Sequence, residues 1–345
     1  MENDVIDDFL RREIDRGTFP GASYAIGTAD GIELLGAVGN AVAVPFRVPA
    51  SVETIYDCAS LTKALVTTIL VLQGLDLDPA TRRLLTHTSG LRAWLPLYAF
   101  DDPLAAIREH GPEYEPGTRV VYSDLNFFLL YVALRERYGD YVELARRRIL
   151  EPLGIADEAM FNPPPSLKPR IAATEWSQEW EAKMCAARKL VPIHGLRKGL
   201  IWGEPHDGNS FHLGGTAGNA GLFATARAAF RILQAFVRGE LVPPALVEES
   251  TRNYTPNMGE NRGLGWHLRS DSNRATNMLS EGSFGHMGFT GTSAWVDRAT
   301  GRIMVLLANR VHPCAAHNAM AGVRGEFHRL ALGCGGVSHR FQSGG

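Results

Sequence analysis

The chain has 345 residues, 45% hydrophobic and 21% charged, the balance of a globular protein with one large domain or two sharing a cleft. Its formal charge of −2 gives no electrostatic reason to expect nucleic acid or an anionic membrane as partner. Cys58, Cys185, Cys314 and Cys334 stand far apart with no C-x-x-C pair, so they are read as reduced thiols, with neither a disulfide framework nor structural zinc.

Val5 and Phe9 at near-helical spacing, with Gly17 as a stop, predict a helix over residues 4–16. This acidic, amphipathic start does not read as a secretory signal, so a cytoplasmic location is expected unless a signal has been removed. Residues 22–26 and 32–38 flank an Asp30-Gly31 turn and read as a β-hairpin. A helix follows from near Ser60 to Gly74. Its apolar run, 64–72, is too short to span a bilayer and reads as buried core.

From residue 79 to about 255, Pro, Gly and short helical runs dominate, with helices expected over 124–138, 141–150 and 224–237. Residues 155–220 form a loop-rich stretch too long to be a simple connection. Strand signals return at 263–268, 291–296 and 302–308, and residues 316–332 read as a closing helix. The expected architecture is a sheet-and-helix domain from residues 1–78 and 256–345, with a helical, loop-rich domain inserted over 79–255 and a cleft between them.

Ser60-Leu61-Thr62-Lys63 opens the first buried helix as an S-x-x-K tetrad. Spacing of i to i+3 puts both side chains on one face. A serine hydroxyl needs a neighbouring base to act as nucleophile, and burial lowers a lysine's pKa towards the neutral amine. With thirty arginines and only five lysines in the chain, roughly 0.2 such tetrads arise by chance. Tyr122-Ser123-Asp124 precedes the helix at 124–138. A phenol beside cations can serve as general base; taken alone, the same residues fit a helix cap, with Ser123 or Asp124 capping and Tyr122 packing before it. His286-Met287-Gly288-Phe289-Thr290-Gly291-Thr292 falls where a strand is expected to begin, and its glycines let a substrate lie against backbone N–H groups. There is no G-x-S-x-G and no H-E-x-x-H, His206-Asp207 lacks further ligands at metal spacing, and residues 214–221 lack a following Gly-Lys-Ser/Thr. No metal or cofactor is expected.

These elements, in this order, resemble the serine β-lactamase and penicillin-binding-protein superfamily, most closely its class C β-lactamase-like esterase and D,D-carboxypeptidase-like branch. The resemblance covers most of the chain, including Leu84-Leu85-Thr86-His87-Thr88-Ser89-Gly90-Leu91, residues 214–225, 285–297 and 309–313. It implies an α/β (α+β) fold: an antiparallel sheet flanked by helices beside an all-α domain. It implies Ser60 as nucleophile, Lys63 as its partner, Tyr122 as base and proton shuttle, and Asp124 where asparagine is usual. It also implies backbone N–H groups of Ser60 and Phe289 as the oxyanion hole, with Gly288, Phe289 and Thr290 against substrate. His286 stands where relatives carry the lysine of Lys-Thr/Ser-Gly, a form more typical of esterases. The implied substrate is a small-molecule ester, amide or peptide, handled through an acyl-enzyme; the alternative readings are a β-lactamase or D,D-carboxypeptidase, and a catalytically silent binding protein that keeps the cleft.

Overall fold

A computed structural model describes residues 2–192, 195–315 and 318–334. Its main sheet has seven strands: β1 (Gly21–Thr28), β2 (Gly31–Val42), β3 (Val48–Pro49) and, after a long excursion, β7 (His267–Leu268), β8 (Phe284–Met287), β9 (Ser293–Val296) and β10 (Ile303–Ala308). The small strands β4 (Tyr56–Asp57), β5 (Ala159–Met160) and β6 (Phe223–Ala224) form a separate sheet in the order β4-β6-β5. The main sheet runs β3-β2-β1-β10-β9-β8-β7, with every pair antiparallel. The two chain ends thus meet at its centre, where Ala25 pairs with Val305.

Both faces of these central strands are covered, and the sequence shows why. Side chains alternate along a strand, yet β10 reads Ile-Met-Val-Leu-Leu-Ala without a polar residue. Met304 and Leu306 join Tyr24 and Ile26 beneath helix α1 (Glu2–Asp15) and the C-terminal helix at Met320–Gly333; Ile303, Val305 and Leu307 face the opposite core. That core contains helix α2, a π-helical stretch at Lys63–Thr68 continuing as the α-helix Ile69–Gly74. Every side chain from Lys63 to Leu72 is buried. An apolar helix is driven to such a place, each fully buried Leu, Ile or Val contributing about 1.5–3 kcal/mol.

Helix α3 (Asp124–Tyr138) packs across α2, and helix α4 (Ala226–Val237) lies on the sheet against β1 and β10. The C-terminal helix Met320–Gly333 is α5. The antiparallel sheet flanked by helices agrees with the fold class expected from the sequence. Because α4 rests on the sheet, we propose that an inserted helical unit closes before residue 226 rather than near 255.

Several boundaries differ from expectation. The strand expected over 263–268 shrinks to two residues because Gly263 N–H donates to Trp266 O and Leu264 N–H to Ser250 O, folding the preceding chain away. The strand near His286 ends there rather than beginning, and Gly288–Thr292 forms a turn into β9. The closing helix begins at Met320; residues 316 and 317 of the expected span lie outside the described residues.

Candidate active site

The loop before α2 places the serine. Ala59 has φ +46°, an uncommon conformation for a residue with a Cβ, and its N–H donates to Asp57 Oδ1 at 2.8 Å. The other oxygen of this buried carboxylate accepts His206 N–H at 2.7 Å. Two backbone donors on one buried acid thus fix the turn that presents Ser60. On the strand side, Thr290 Oγ1 donates to Asp57 O at 2.8 Å and Thr292 Oγ1 to Cys58 O at 3.0 Å. Gly288 must be glycine, since a Cβ there would meet Thr292 Oγ1 at 2.1 Å and Cys58 O at 2.7 Å.

The sequence places Thr290 among the residues expected against substrate. Its side chain is buried and staples the turn to the nucleophile's loop.

Lys63 Nζ is fully buried and donates to Ser60 Oγ at 2.9 Å and to Asn219 O at 3.0 Å. The glycine-rich loop holding Asn219 is thus a structural partner of the lysine. Asp124 Oδ1 stands 2.7 Å from the same ammonium, an ion pair whose geometry is not that of an aligned hydrogen bond. Burial pulls the Lys63 pKa down, but the Asp124 carboxylate, with a further contribution from the Tyr122 oxygen, outweighs it, and the net direction is up. Asp124 keeps 21% of its side chain exposed. Burial raises its pKa and Lys63 pulls it back; with water reaching the carboxylate, we read the pair as ammonium and carboxylate.

The Tyr122 ring lies 5.0 Å from Lys63 Nζ, and Tyr122 lines both cavities beside Ser60. Its pKa is nonetheless raised, because burial outweighs the pull of Lys63. In the resting site Tyr122 is therefore a phenol. Ser123 holds the N-cap position of α3, but its hydroxyl donates to Arg92 O at 2.6 Å, so the expected cap by that side chain is not made.

Sequence reasoning missed the residues that hold Tyr122. Val121 N–H donates to His87 O at 2.9 Å and Ser123 N–H to His87 Nδ1 at 3.0 Å, so one buried histidine clamps both flanks of the tyrosine. The His87 ring sits 4.6 Å from that of Tyr122, and the Arg262 guanidinium 5.3 Å from it on the tyrosine ring. His267 and His286 complete the surround, 4.2 Å apart and 5.8 and 6.0 Å from the Tyr122 ring. Burial first, then neighbouring cations, pushes all three imidazoles well below their usual pKa range. They are neutral. His286 Nδ1 lies 2.8 Å from Met287 O and Nε2 has no partner among the described residues, so His286 does not bond Tyr122 in this state. The only signal for His87 was its place in the Leu-Thr-His-Thr-Ser-Gly stretch; Arg262 and His267 carried none.

Two cavities meet at Ser60. The larger, about 710 Å³, runs past Tyr122, Arg262, His267, Phe289, Arg274 and Arg324. The smaller, about 230 Å³, is walled by Trp94, Trp180 and Phe289, with Asp124, Glu181 and Asp207 on its polar side. Among the described residues, neither the Ser60 N–H nor the Phe289 N–H has an acceptor. Two free backbone donors beside a hydroxyl held by an ammonium can stabilise an oxyanion formed on attack at a carbonyl. No group of three or more His, Cys, Asp or Glu side chains among the described residues has the geometry of a metal site. No helix among them is long and apolar enough to cross a membrane.

Comparison with known proteins follows this geometry. Residues 6–327 match the family model described as Beta-lactamase. The chain is 28% identical over 232 residues to a protein of Escherichia coli (strain K12) named "Putative D-alanyl-D-alanine carboxypeptidase", covering 63% of this chain and 51% of that one. The chain thus spans about half the length of the curated relatives it matches. Among solved structures, a D-amino acid amidase from Ochrobactrum anthropi SV3 superposes with a TM-score of 0.70 at 21% identity, covering 96% of this chain and 98% of that one. An octameric penicillin-binding protein homologue from Pyrococcus abyssi gives 0.70 at 21%, covering 96% and 77%. At these identities the structural likeness speaks for the fold alone.

Proposed function

The chain belongs to the beta-lactamase family, and from that premise we propose that it is a serine hydrolase that forms an acyl-enzyme on Ser60. The observation that carries the reading is the buried Lys63 ammonium joining Ser60 Oγ to Asp124. In the proposed reaction, Ser60 Oγ attacks the substrate carbonyl and the oxyanion takes the N–H groups of Ser60 and Phe289. Because Tyr122 rests as a phenol, it relays rather than stores the proton. It accepts the Ser60 proton as it gives its own to the leaving oxygen or nitrogen, while Lys63 stabilises the charge developing on both oxygens. Water then enters by the reverse relay and releases the acid.

The substrate class we favour is a small neutral ester, since His286 is buried and neutral and offers no charge for a carboxylate. A second reading, a D,D-carboxypeptidase or β-lactamase acting on an amide beside a carboxylate, is favoured by Arg262, Arg274 and Arg324 along the larger cavity. Assaying short-chain p-nitrophenyl esters, D-amino-acid amides and a chromogenic cephalosporin with wild type and Ser60→Ala tests both. Hydrolysis that depends on Ser60 supports the proposal; turnover that survives the substitution defeats it. The ranking of kcat/KM chooses between the two substrate readings.

A further inference from the structure

The Phe289 N–H and the Gly288 C=O belong to one peptide unit. In a trans peptide these two groups point in opposite directions, so whatever holds the carbonyl aims the N–H. Gly288 O accepts from Gly291 N–H at 3.2 Å and from Arg324 Nη2 at 2.7 Å, and the same Nη2 donates to Thr292 O at 3.0 Å. Arg324 projects from α5, is 8% exposed, and pairs with no carboxylate among the described residues. Burial, and then Arg310, lowers its pKa to about 9, which still leaves a cation at neutral pH. A buried guanidinium without a carboxylate is costly, and both of its recorded bonds go to carbonyls of the turn that carries Phe289.

That turn needs an external restraint. Gly288 has no Cβ to limit its backbone, so rotation of the 288–289 peptide is locally easy. Such a flip would replace the free N–H beside Ser60 with a carbonyl oxygen, which repels an oxyanion. We propose that Arg324 is a positioning residue of the oxyanion hole, holding the Gly288 carbonyl so that the Phe289 N–H faces the reacting carbonyl carbon's oxygen. This rests on the serine-hydrolase reading and extends it to a residue on the far helix.

The test uses Arg324→Ala with the best ester substrate. Loss of a single oxyanion donor costs roughly a hundredfold or more in kcat, so kcat should fall by about that much with KM little changed. Added guanidinium chloride at concentrations too low to unfold the protein should restore part of the lost kcat in Arg324→Ala and none in Arg324→Met, whose side chain fills the gap. A packing role would show no such rescue. Wild-type kcat in folded Arg324→Ala, or a loss that guanidinium leaves untouched, overturns the proposal. Should Arg324→Ala fail to fold, Arg324→Met decides: it fills the space but carries no donor for the Gly288 carbonyl, so kcat should fall roughly a hundredfold at constant KM, and an unchanged kcat overturns the proposal. Labelling of Ser60 by a fluorophosphonate in the wild type keeps the two failures apart. A labelled, active wild type with an indifferent Arg324 sinks this inference alone, whereas an unlabelled, inactive wild type sinks the hydrolase reading and this inference with it.

Discussion

Asp124 Oδ1 lies 2.7 Å from Lys63 Nζ while the same ammonium donates to Ser60 Oγ at 2.9 Å, so a carboxylate and the candidate nucleophile share one buried cation. The Lys63 pKa is raised despite burial because Asp124 outweighs it together with Tyr122. A raised cationic pKa gives a contribution fully present below the ordinary lysine value of about 10.4 and lost as pH climbs through the folded value. In Asp124→Asn, burial is opposed by much less, so the alkaline limb of kcat/KM should move to lower pH by at least about one unit. The acid limb from Asp124, whose pKa burial raises, should vanish in the same variant. An unchanged pH–rate profile would reduce Asp124 to a helix residue.

Tyr122 is read as a proton relay held between the two bonds that His87 accepts. Tyr122→Phe keeps the ring and removes the relay, and should lower kcat by about 10²–10⁴ while leaving thermal stability near wild type. His87→Ala keeps the carbonyl that holds Val121 but leaves the Ser123 N–H without its acceptor, which costs about 1–3 kcal/mol. Its kcat should fall with KM little affected. Full activity in Tyr122→Phe would remove the tyrosine from the mechanism.

His87, His267 and His286 are buried neutral, with native pKa values far below those of the unfolded chain. Below pH ~6.5 the unfolded state takes up protons that the native state refuses, so stability is fully present above that pH and drains as pH falls. Each histidine contributes a slope of about 1.4 kcal/mol per pH unit. Urea unfolding between pH 7 and 5 should show a steep decline, made shallower by one proton in His286→Gln. Constant stability over that range would mean that these rings are protonated in the native protein.

His286→Lys places a second buried ammonium near Lys63 and Arg262 instead of creating a carboxylate receptor, because the position is 1% exposed. It should lose stability by several kcal/mol and gain nothing against cephalosporins. The exposed Arg274 is the better candidate for reading a carboxylate. Arg274→Ala should lower kcat/KM for a cephalosporin by up to about fivefold, the worth of an exposed ion pair, and leave a neutral ester unchanged. Equal effects on the two substrates would contradict this.

The parts of the site legible in the sequence were those written locally. Ser60 and Lys63 share a helix turn, so spacing grouped them; Tyr122 and Asp124 flank a helix start and read alone as a cap, and only the resemblance gave them site roles. Helices 124–138 and 226–237 were legible because a single long element carries its own periodicity. The shell around Tyr122 was not: His87, Arg262 and His267 come from three separate segments, and a lone buried histidine looks the same in sequence whatever it touches. Strand β8 was hidden because Phe284-Gly285-His286-Met287 offers neither alternation nor an apolar run. The bond from the Thr290 side chain to Asp57 O was equally hidden, since a motif position does not show which way its side chain turns.

The central claim, an acyl-enzyme on Ser60 supported by Lys63 and Tyr122, is tested most directly by intact-mass and peptide mass spectrometry after reaction with a fluorophosphonate. Wild type should gain a single adduct, located on Ser60. Lys63→Ala and Tyr122→Phe should react at least about a hundredfold more slowly, and Ser60→Ala should not react. An adduct on another residue, or an unmodified protein that still hydrolyses esters, would contradict the account.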